Sequence, residues 1–327
     1  MKIESSIFNR RSSIFNRMID IIIPNYNGAA MLPTCLDALR AQTRRDFCVV
    51  VVDDGSTDGS CELLARSYPE VQVIRLPRNR GLAAAVNAGI EATGGPYVVL
   101  LNNDTEAHPR WLEHLVGALE RFPAYAFAAS KLLLFDRRDH IHSAGDYYRP
   151  DGVPGNRGVW QRDRGQYDVM EEVFGPCAGA AAYRRSALEA LAEDGKVFDE
   201  DLVMYCEDVD LNLRAHLRGM RTVYVPQAVV YHRLSATGGG ALASYYCGRN
   251  FVLVWAKNMP ARLARRHLPA MLRAQAGFAL RALWHLREPA ARARLRGQLD
   301  SLRALPRFLR KRRVQGMWTA DRERISG

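Results

Sequence analysis

The sequence contains no uninterrupted apolar run of the roughly 18 residues that a membrane-spanning helix requires, so a transmembrane anchor is not expected. No secretory leader is recognisable at its start. Cysteine is sparse: Cys35, Cys48, Cys61, Cys177, Cys206 and Cys247 include no C-x-x-C pair, which removes the usual zinc and thiol-redox signatures and fits reduced thiols in a cytosolic protein. Also missing is a G-x-G-x-x-G turn after the first apolar run, the element that usually cradles a dinucleotide's pyrophosphate. Acidic residues are scarce in one region. Only four of the 35 Asp and Glu residues fall from Lys257 to Gly327, against 18 of the 46 Lys and Arg, which leaves 28 basic and 31 acidic residues before Lys257. The net charge of +11 therefore belongs to the tail, and no nucleic acid partner is expected.

What is present is the composition of a globular protein, with 48% hydrophobic and 25% charged residues in a 327-residue chain that fits one large domain or a domain plus an appendage. The segment SSIFNR at 5–10 recurs at 12–17, immediately before Met18. Residues 1–17 are expected to be a disordered extension ahead of a working start at Met18, with a short amphipathic arm as the alternative. From Ile19 the pattern alternates. Ile19 to Pro24, Phe47 to Val52, Val71 to Leu76 and Tyr97 to Leu101 read as strands buried on both faces, and the stretches near 31–42, 60–67, 82–92 and 109–122 read as helices. Such alternation predicts an α/β fold, a mostly parallel sheet flanked by helices, with ligands bound beyond the C-terminal strand ends.

Residues 18–125 would form a nucleotide-binding half and residues 126–240 an acceptor-binding half. In the latter, 126–135 and 221–231 read as strands and 185–192 and 207–217 as helices, while 136–168 is a polar, aromatic excursion followed by Gly175-Pro176-Cys177-Ala178-Gly179. Residues 241–327 read as helical and basic. There Leu268, Leu272, Ala276, Ala279, Leu283 and Leu286 recur at helical spacing, and Arg307-Phe308-Leu309-Arg310-Lys311-Arg312-Arg313 adds a basic cluster. This pattern suggests an interfacial helix and a patch for an anionic membrane surface, hence a cytoplasmic protein held peripherally on the membrane. A helical hairpin packed on the main domain is the alternative.

Three polar clusters end strands: Pro24-Asn25-Tyr26-Asn27-Gly28, Asp53-Asp54-Gly55-Ser56, and Asn102-Asn103-Asp104. Any one is an ordinary turn, but the predicted fold places all three on one rim. Their acids would repel a pyrophosphate unless a divalent cation intervened, most simply Mg²⁺ or Mn²⁺ on Asp104.

The ordered set IIPNYNG, VVDDGSTDGS, NRGLAAAVNAG, LLNND, YCEDVDLNLR and VVYH resembles the family-2 glycosyltransferases with the GT-A fold, and in particular their rhamnosyltransferase-type branch, over about Ile19 to Pro260. The resemblance implies that Pro24 and Tyr26 line a base pocket and that Asp53 and Asp54 accept hydrogen bonds from pyrimidine and ribose. Arg80 and Asn87 would lie near the nucleotide or donor sugar, with a structural role equally open. Asp104 would hold the metal, flanked by Asn102 and Asn103 where acids often occur, and His232 would complete the coordination. Asp208 would be the general base, with Glu207 and Asp210 able to support it. The implied reaction is inverting transfer from a dTDP-, UDP- or GDP-sugar, by the branch dTDP-rhamnose, to a saccharide or lipid-linked saccharide in cell-surface polysaccharide synthesis. A sugar nucleotidyltransferase and a non-enzymatic basic membrane- or nucleic-acid-binding module are the competing readings.

Overall fold

The computed structural model describes residues 18–233 and 240–312. The expected extension at 1–17 and the end of the basic cluster at Arg313 lie outside the described residues. The first half is β1 (Ile19–Asn25), α1 (Leu32–Arg40), β2 (Phe47–Asp53), α2 (Ser60–Ser67), β3 (Gln72–Arg75), α3 (Leu82–Glu91) and β4 (Tyr97–Leu101). Its strands pair in parallel in the order β4-β1-β2-β3. The second half follows as β5 (Thr105–Ala107), α4 (Trp111–Arg121), β6 (Tyr125–Leu134), β7 (Ile141–Ser143), β8 (Asp146–Tyr148), β9 (Pro154–Asn156), β10 (Glu171–Val173), β11 (Ala180–Arg184), α5 (Arg185–Leu191), α6 (Glu207–Leu217) and β12 (Arg221–His232). It extends the sheet to ten strands, in which β11 runs antiparallel between β4 and β6.

Alternation along the strands builds a core on each face. Ile19, Ile21, Ile23, Val51 and Val99 pack with Leu32 and Leu36 of α1 and with Trp111 and Leu115 of α4. Ile22, Val50, Val52 and Val98 face the other way, onto α3, α5 and α6. Each such fully buried Ile or Leu contributes about 1.5–3 kcal/mol of transfer free energy. The short strands β5 and β7–β10 were not anticipated, because strands of three residues carry no readable periodicity.

The C-terminal region is helical throughout its described part, as α7 (Ala241–Asn258), α8 (Ala261–Trp284) and α9 (Pro289–Lys311). Helices α7 and α9 approach closely: a Cβ on Gly297 would lie 2.1 Å from the Tyr245 carbonyl oxygen, and one on Gly248 would lie 2.6 Å from that of Arg294. The tail is joined firmly to the sheet domain. Phe308 is fully buried, and Lys311 and Arg307 form ion pairs with Asp201, with Lys311 also reaching Asp199. That part of the basic cluster is therefore spent on the protein's own acids, which corrects the reading of the whole cluster as a lipid patch. On α8 it is Leu263, Met271 and Ala282 that pack inward, while Leu268, Leu272 and Leu283 face solvent, as does Leu286 just beyond the helix, and Trp284 is 88% exposed.

Candidate active site

The three polar clusters meet at the ends of β1, β2 and β4. Asn103 donates from Nδ2 to Asn25 Oδ1 at 2.7 Å, and Asn25 in turn donates to Asp53 Oδ1 at 3.1 Å and Ser56 Oγ at 3.3 Å. A Cβ on Gly28 would sit 2.2 Å from both Asn103 Nδ2 and Asn25 Oδ1, so only glycine permits this amide pair. Asp53 has no exposed surface, and its second oxygen accepts from the Ser56 amide. Asp54 accepts from the amides of Arg80 and Gly81, both at 2.8 Å. Burial raises the Asp54 carboxyl above its ordinary range, and these amides offset part of that effect. Both acids thus tie loops together, so direct contact with a nucleoside would require those turns to open. Tyr26, by contrast, is 46% exposed, and Pro24 at the same strand end is partly so.

Asn87 is a strut: its amide donates to the Phe198 carbonyl and to Glu200, and accepts from the Phe198 amide. The Arg80 guanidinium pairs with Glu200 at 2.7 Å. Of the two roles open for Asn87, the structural one accounts for all its contacts.

Asp104 is 6% exposed and lies where β5 pairs with the end of β12, which opposes His232 to Thr105. His232 Nε2 is 3.1 Å from Asp104 Oδ1 but out of line for a hydrogen bond, leaving that buried oxygen without a donor. Asn102 Nδ2 stands 3.4 Å from the same ring nitrogen. Behind them, His142 Nδ1 lies 3.0 Å from His232 Nδ1. Burial, aided by His232, lowers the His142 pKa to about 3, so this ring is neutral. An orphaned carboxylate oxygen beside an imidazole nitrogen is a donor set that suits a divalent cation.

On the other side stands α6. Asp208 accepts from the Ala178 amide at 3.2 Å and its neighbour's amide at 2.8 Å, and it retains some solvent contact. Burial raises its pKa, and these amides pull it part of the way back. Glu207 is buried with Oε2 lacking a donor, and burial followed by the Asp208 charge pushes its pKa well up. Asp210 differs. Its carboxylate is fully buried and engaged by Arg214, Lys257 and Asn258, so it cannot serve a substrate, which corrects its expected supporting role. Burial alone would raise its pKa, but Lys257 and Arg214 outweigh that and hold it well below the carboxylate range.

The loop before α6 is strained. Val203, Tyr205 and Cys206 all have positive φ, of 67°, 61° and 68°, each costing about 1–3 kcal/mol. Asn250 of α7 offsets this by donating to the carbonyls of Leu202, Met204 and Tyr205 at 2.8–3.0 Å. The C-terminal region therefore shapes the approach to Asp208. Sequence reasoning missed Asn250, as it did Asp146 and Cys177, whose ligand atoms lie within 4.8 Å of one another and of that of Asp208.

The 176–179 loop joins the two sides: Gly179 accepts from the Asn102 amide while Ala178 donates to Asp208. A buried acid beside an imidazole and a partly buried one tied to a loop that also reaches Asn102 stand beside a polar rim at parallel strand ends, an arrangement that fits a glycosyltransferase of the GT-A type. The chain belongs to glycosyl transferase family 2, whose model matches residues 20–192. It is 29% identical over 257 residues to an N-acetylglucosaminyl-diphospho-decaprenol L-rhamnosyltransferase of Mycobacterium tuberculosis, covering 68% of this chain and 78% of that one. It is also 34% identical over 106 residues to the glycosyltransferase AglE of Haloferax volcanii, a match spanning 31% and 35% of the two chains. Among solved structures, the mannosyltransferase PcManGT from Pyrobaculum calidifontis, in complex with GDP-Man and Mn²⁺, superposes with a TM-score of 0.54 over 95% of this chain and 89% of that chain at 19% identity. Staphylococcus aureus TarS gives 0.52 over 92% of this chain and 56% of its own at 18% identity. The last two likenesses concern the fold.

Proposed function

We propose that the chain is a metal-dependent inverting glycosyltransferase that moves a sugar from a nucleoside-diphosphate donor to a lipid-linked saccharide. The L-rhamnosyltransferase name of the M. tuberculosis relative supports rhamnose as the sugar, and the family resemblance dTDP-rhamnose as its donor. The observation that carries this reading is the 176–179 loop, which sets Asp208 on one side and Asn102, with Asp104 and His232, on the other. Tyr26 and Pro24 supply faces for the base, with Asp53 and Asp54 beneath them. Asp104 and His232 would hold Mg²⁺ or Mn²⁺, which would supply positive charge for a diphosphate leaving group. For His232 Nε2 to be a ligand, its Nδ1 must carry the proton and donate to His142. Asp208 takes the proton of the acceptor hydroxyl as that oxygen attacks the anomeric carbon, opposite the breaking bond to the diphosphate.

This reading predicts that nucleoside diphosphate binding depends on metal. Titration calorimetry of dTDP, UDP and GDP with Mn²⁺ should show one tight binder in the wild type, weakened by about 10²-fold in Asp104→Asn as several kcal/mol of charge stabilisation is lost. Equal affinity in the variant, or with a chelator, would place the metal elsewhere or nowhere.

The exposed arc of α8, with Leu272, Leu283 and Trp284 beside Arg265, Arg266 and Arg273, supports peripheral attachment to the cytoplasmic face of an anionic membrane, where a lipid-linked acceptor would be met. Replacing Leu280, Leu283 and Trp284 with Ser should weaken binding of the full chain to phosphatidylglycerol vesicles by about tenfold or more. Unchanged vesicle binding would leave that arc for another partner.

A further inference from the structure

Asp146 is distant from every motif in the sequence, yet β8 brings it to the base. It is 5% exposed, its amide donates to the Gly175 carbonyl, and its Oδ1 accepts from Ser143 Oγ at 3.0 Å and Asn156 Nδ2 at 2.7 Å. Its carboxylate, the Cys177 sulfur and the Asp208 carboxylate lie within 4.8 Å of one another. The groups facing this pair are Ser143 from β7, Asn156 from β9, Cys177 from the loop, Tyr183 from β11 and Glu207 beside Asp208 on α6, with Cys206 before α6 and Cys247 of α7 on the Asp208 side. No Lys, Arg or His is hydrogen-bonded or ion-paired to either carboxylate among the described residues.

Two carboxylates within 4.8 Å, one buried and the other only partly open to solvent, with no basic side chain on either, cannot both remain ionised at low cost, so the pair retains a proton. Which member keeps it follows from the surroundings. Asp208 has two backbone N–H donors and some solvent, both of which favour its charge. Asp146 is the more deeply enclosed, and burial first, then the Asp208 charge, raises its pKa well above the ordinary value.

We propose that Asp146 is a positioning residue for the base: as a neutral acid it directs its proton at Asp208 and holds that ionised carboxylate toward the acceptor. This rests on the reading of Asp208 as the base. During transfer the acceptor O–H bond breaks as its oxygen bonds to the anomeric carbon, the bond from that carbon to the diphosphate oxygen breaks with the electron pair leaving on the diphosphate, and the proton arrives on Asp208. Asp146 gives up nothing in that step; it keeps a second negative charge out of the site. Ionisation of Asp146 at high pH would add that charge and let Asp208 swing away, so the activity has an alkaline limb.

The test compares Asp146→Asn with Asp146→Ala in the full-length enzyme. Asparagine keeps the acceptor for Ser143 and Asn156 and places a permanent N–H donor toward Asp208. The expected result is a kcat within a few-fold of wild type at neutral pH, with the alkaline limb of the kcat profile lost or displaced upward by a pH unit or more. Alanine should lower kcat by at least tenfold with the donor KM unchanged, while circular dichroism and melting show a folded protein. An inactive, folded Asp146→Asn enzyme would overturn the proposal, because an ionised Asp146 would then be required. So would an unmoved alkaline limb, or loss of bound Mn²⁺ by electron paramagnetic resonance in Asp146→Asn but not in Asp104→Asn, which would make the cluster the metal site. Wild-type transfer in Asp208→Asn would instead remove the base assignment on which the proposal rests.

Discussion

Asp208→Asn should lower transfer by about 10²–10⁴-fold, the usual contribution of a positioned general base, while leaving donor affinity nearly intact. The side chain stays the same size and its oxygen still accepts from the Ala178 amide, so the 176–179 loop keeps its place. What is lost is the capacity to take a proton, together with the hydrogen bond from the Val209 amide, which uses the other oxygen. Fluorescence or calorimetric titration with the nucleoside diphosphate separates the two effects. An equal loss of binding and turnover would mean that the residue holds the donor, and transfer at the wild-type rate would exclude it from the chemistry. Glu207 is the residue to compare, since it is buried with a free oxygen of its own.

The second large effect is on stability. Asp210→Ala should cost about 3–5 kcal/mol, the penalty for leaving a buried charge without its partner. Arg214 is 1% exposed, and its remaining hydrogen bonds go to the carbonyls of Leu191 and Val197, neither of which carries charge. Lys257 keeps Glu193 and Asp199 at 3.0 Å, so the damage centres on the guanidinium. Urea unfolding measures it, and a change under about 1 kcal/mol would show that the pair contributes as little as an exposed one. The pH dependence has a definite sign. Because the folded-state pKa of Asp210 is depressed, its stabilising contribution is full above the unfolded carboxylate value of about 3.9 and fades as pH falls below it. Asp146, Glu207 and Asp208 act oppositely: their folded pKa values are raised, so the stability they retain in acid is lost as pH rises from the unfolded value toward the folded one.

The strand–helix alternation was legible because strands buried on both faces read as unbroken apolar runs, and Tyr97–Leu101, Ser60–Ser67 and Glu207–Leu217 fall at the expected bounds. The rim was legible for the same reason, as strand ends in such a sheet face one side. What each rim residue does was less so. Asp54, Asn87 and Asp210 have the residue types of a binding site, yet their polar atoms go to loop amides, a Phe198 clamp and an ion-pair hub. Apart from Arg214, which is one helical turn from Asp210, those partners lie from 26 to 111 residues away in the chain, beyond any spacing rule. Asp146 and Asn250 were invisible for the converse reason: each sits in an unremarkable local sequence and gains its place only from packing of β8 and α7. On α8, both faces carry apolar residues, and only the fold decides that Leu263 and Met271 turn inward while Leu283 turns out.

The most direct test of glycosyl transfer is a donor panel. Full-length protein is incubated with dTDP-rhamnose, UDP-sugars and GDP-sugars, a polyprenyl-diphosphate saccharide and Mn²⁺ or Mg²⁺, and release of the nucleoside diphosphate is followed. One nucleotide should be released with formation of a glycosylated lipid of inverted anomeric configuration, and a chelator should abolish both. Release unaffected by the chelator, a retained anomer, or no turnover of any donor by a folded, nucleotide-binding protein would contradict the account.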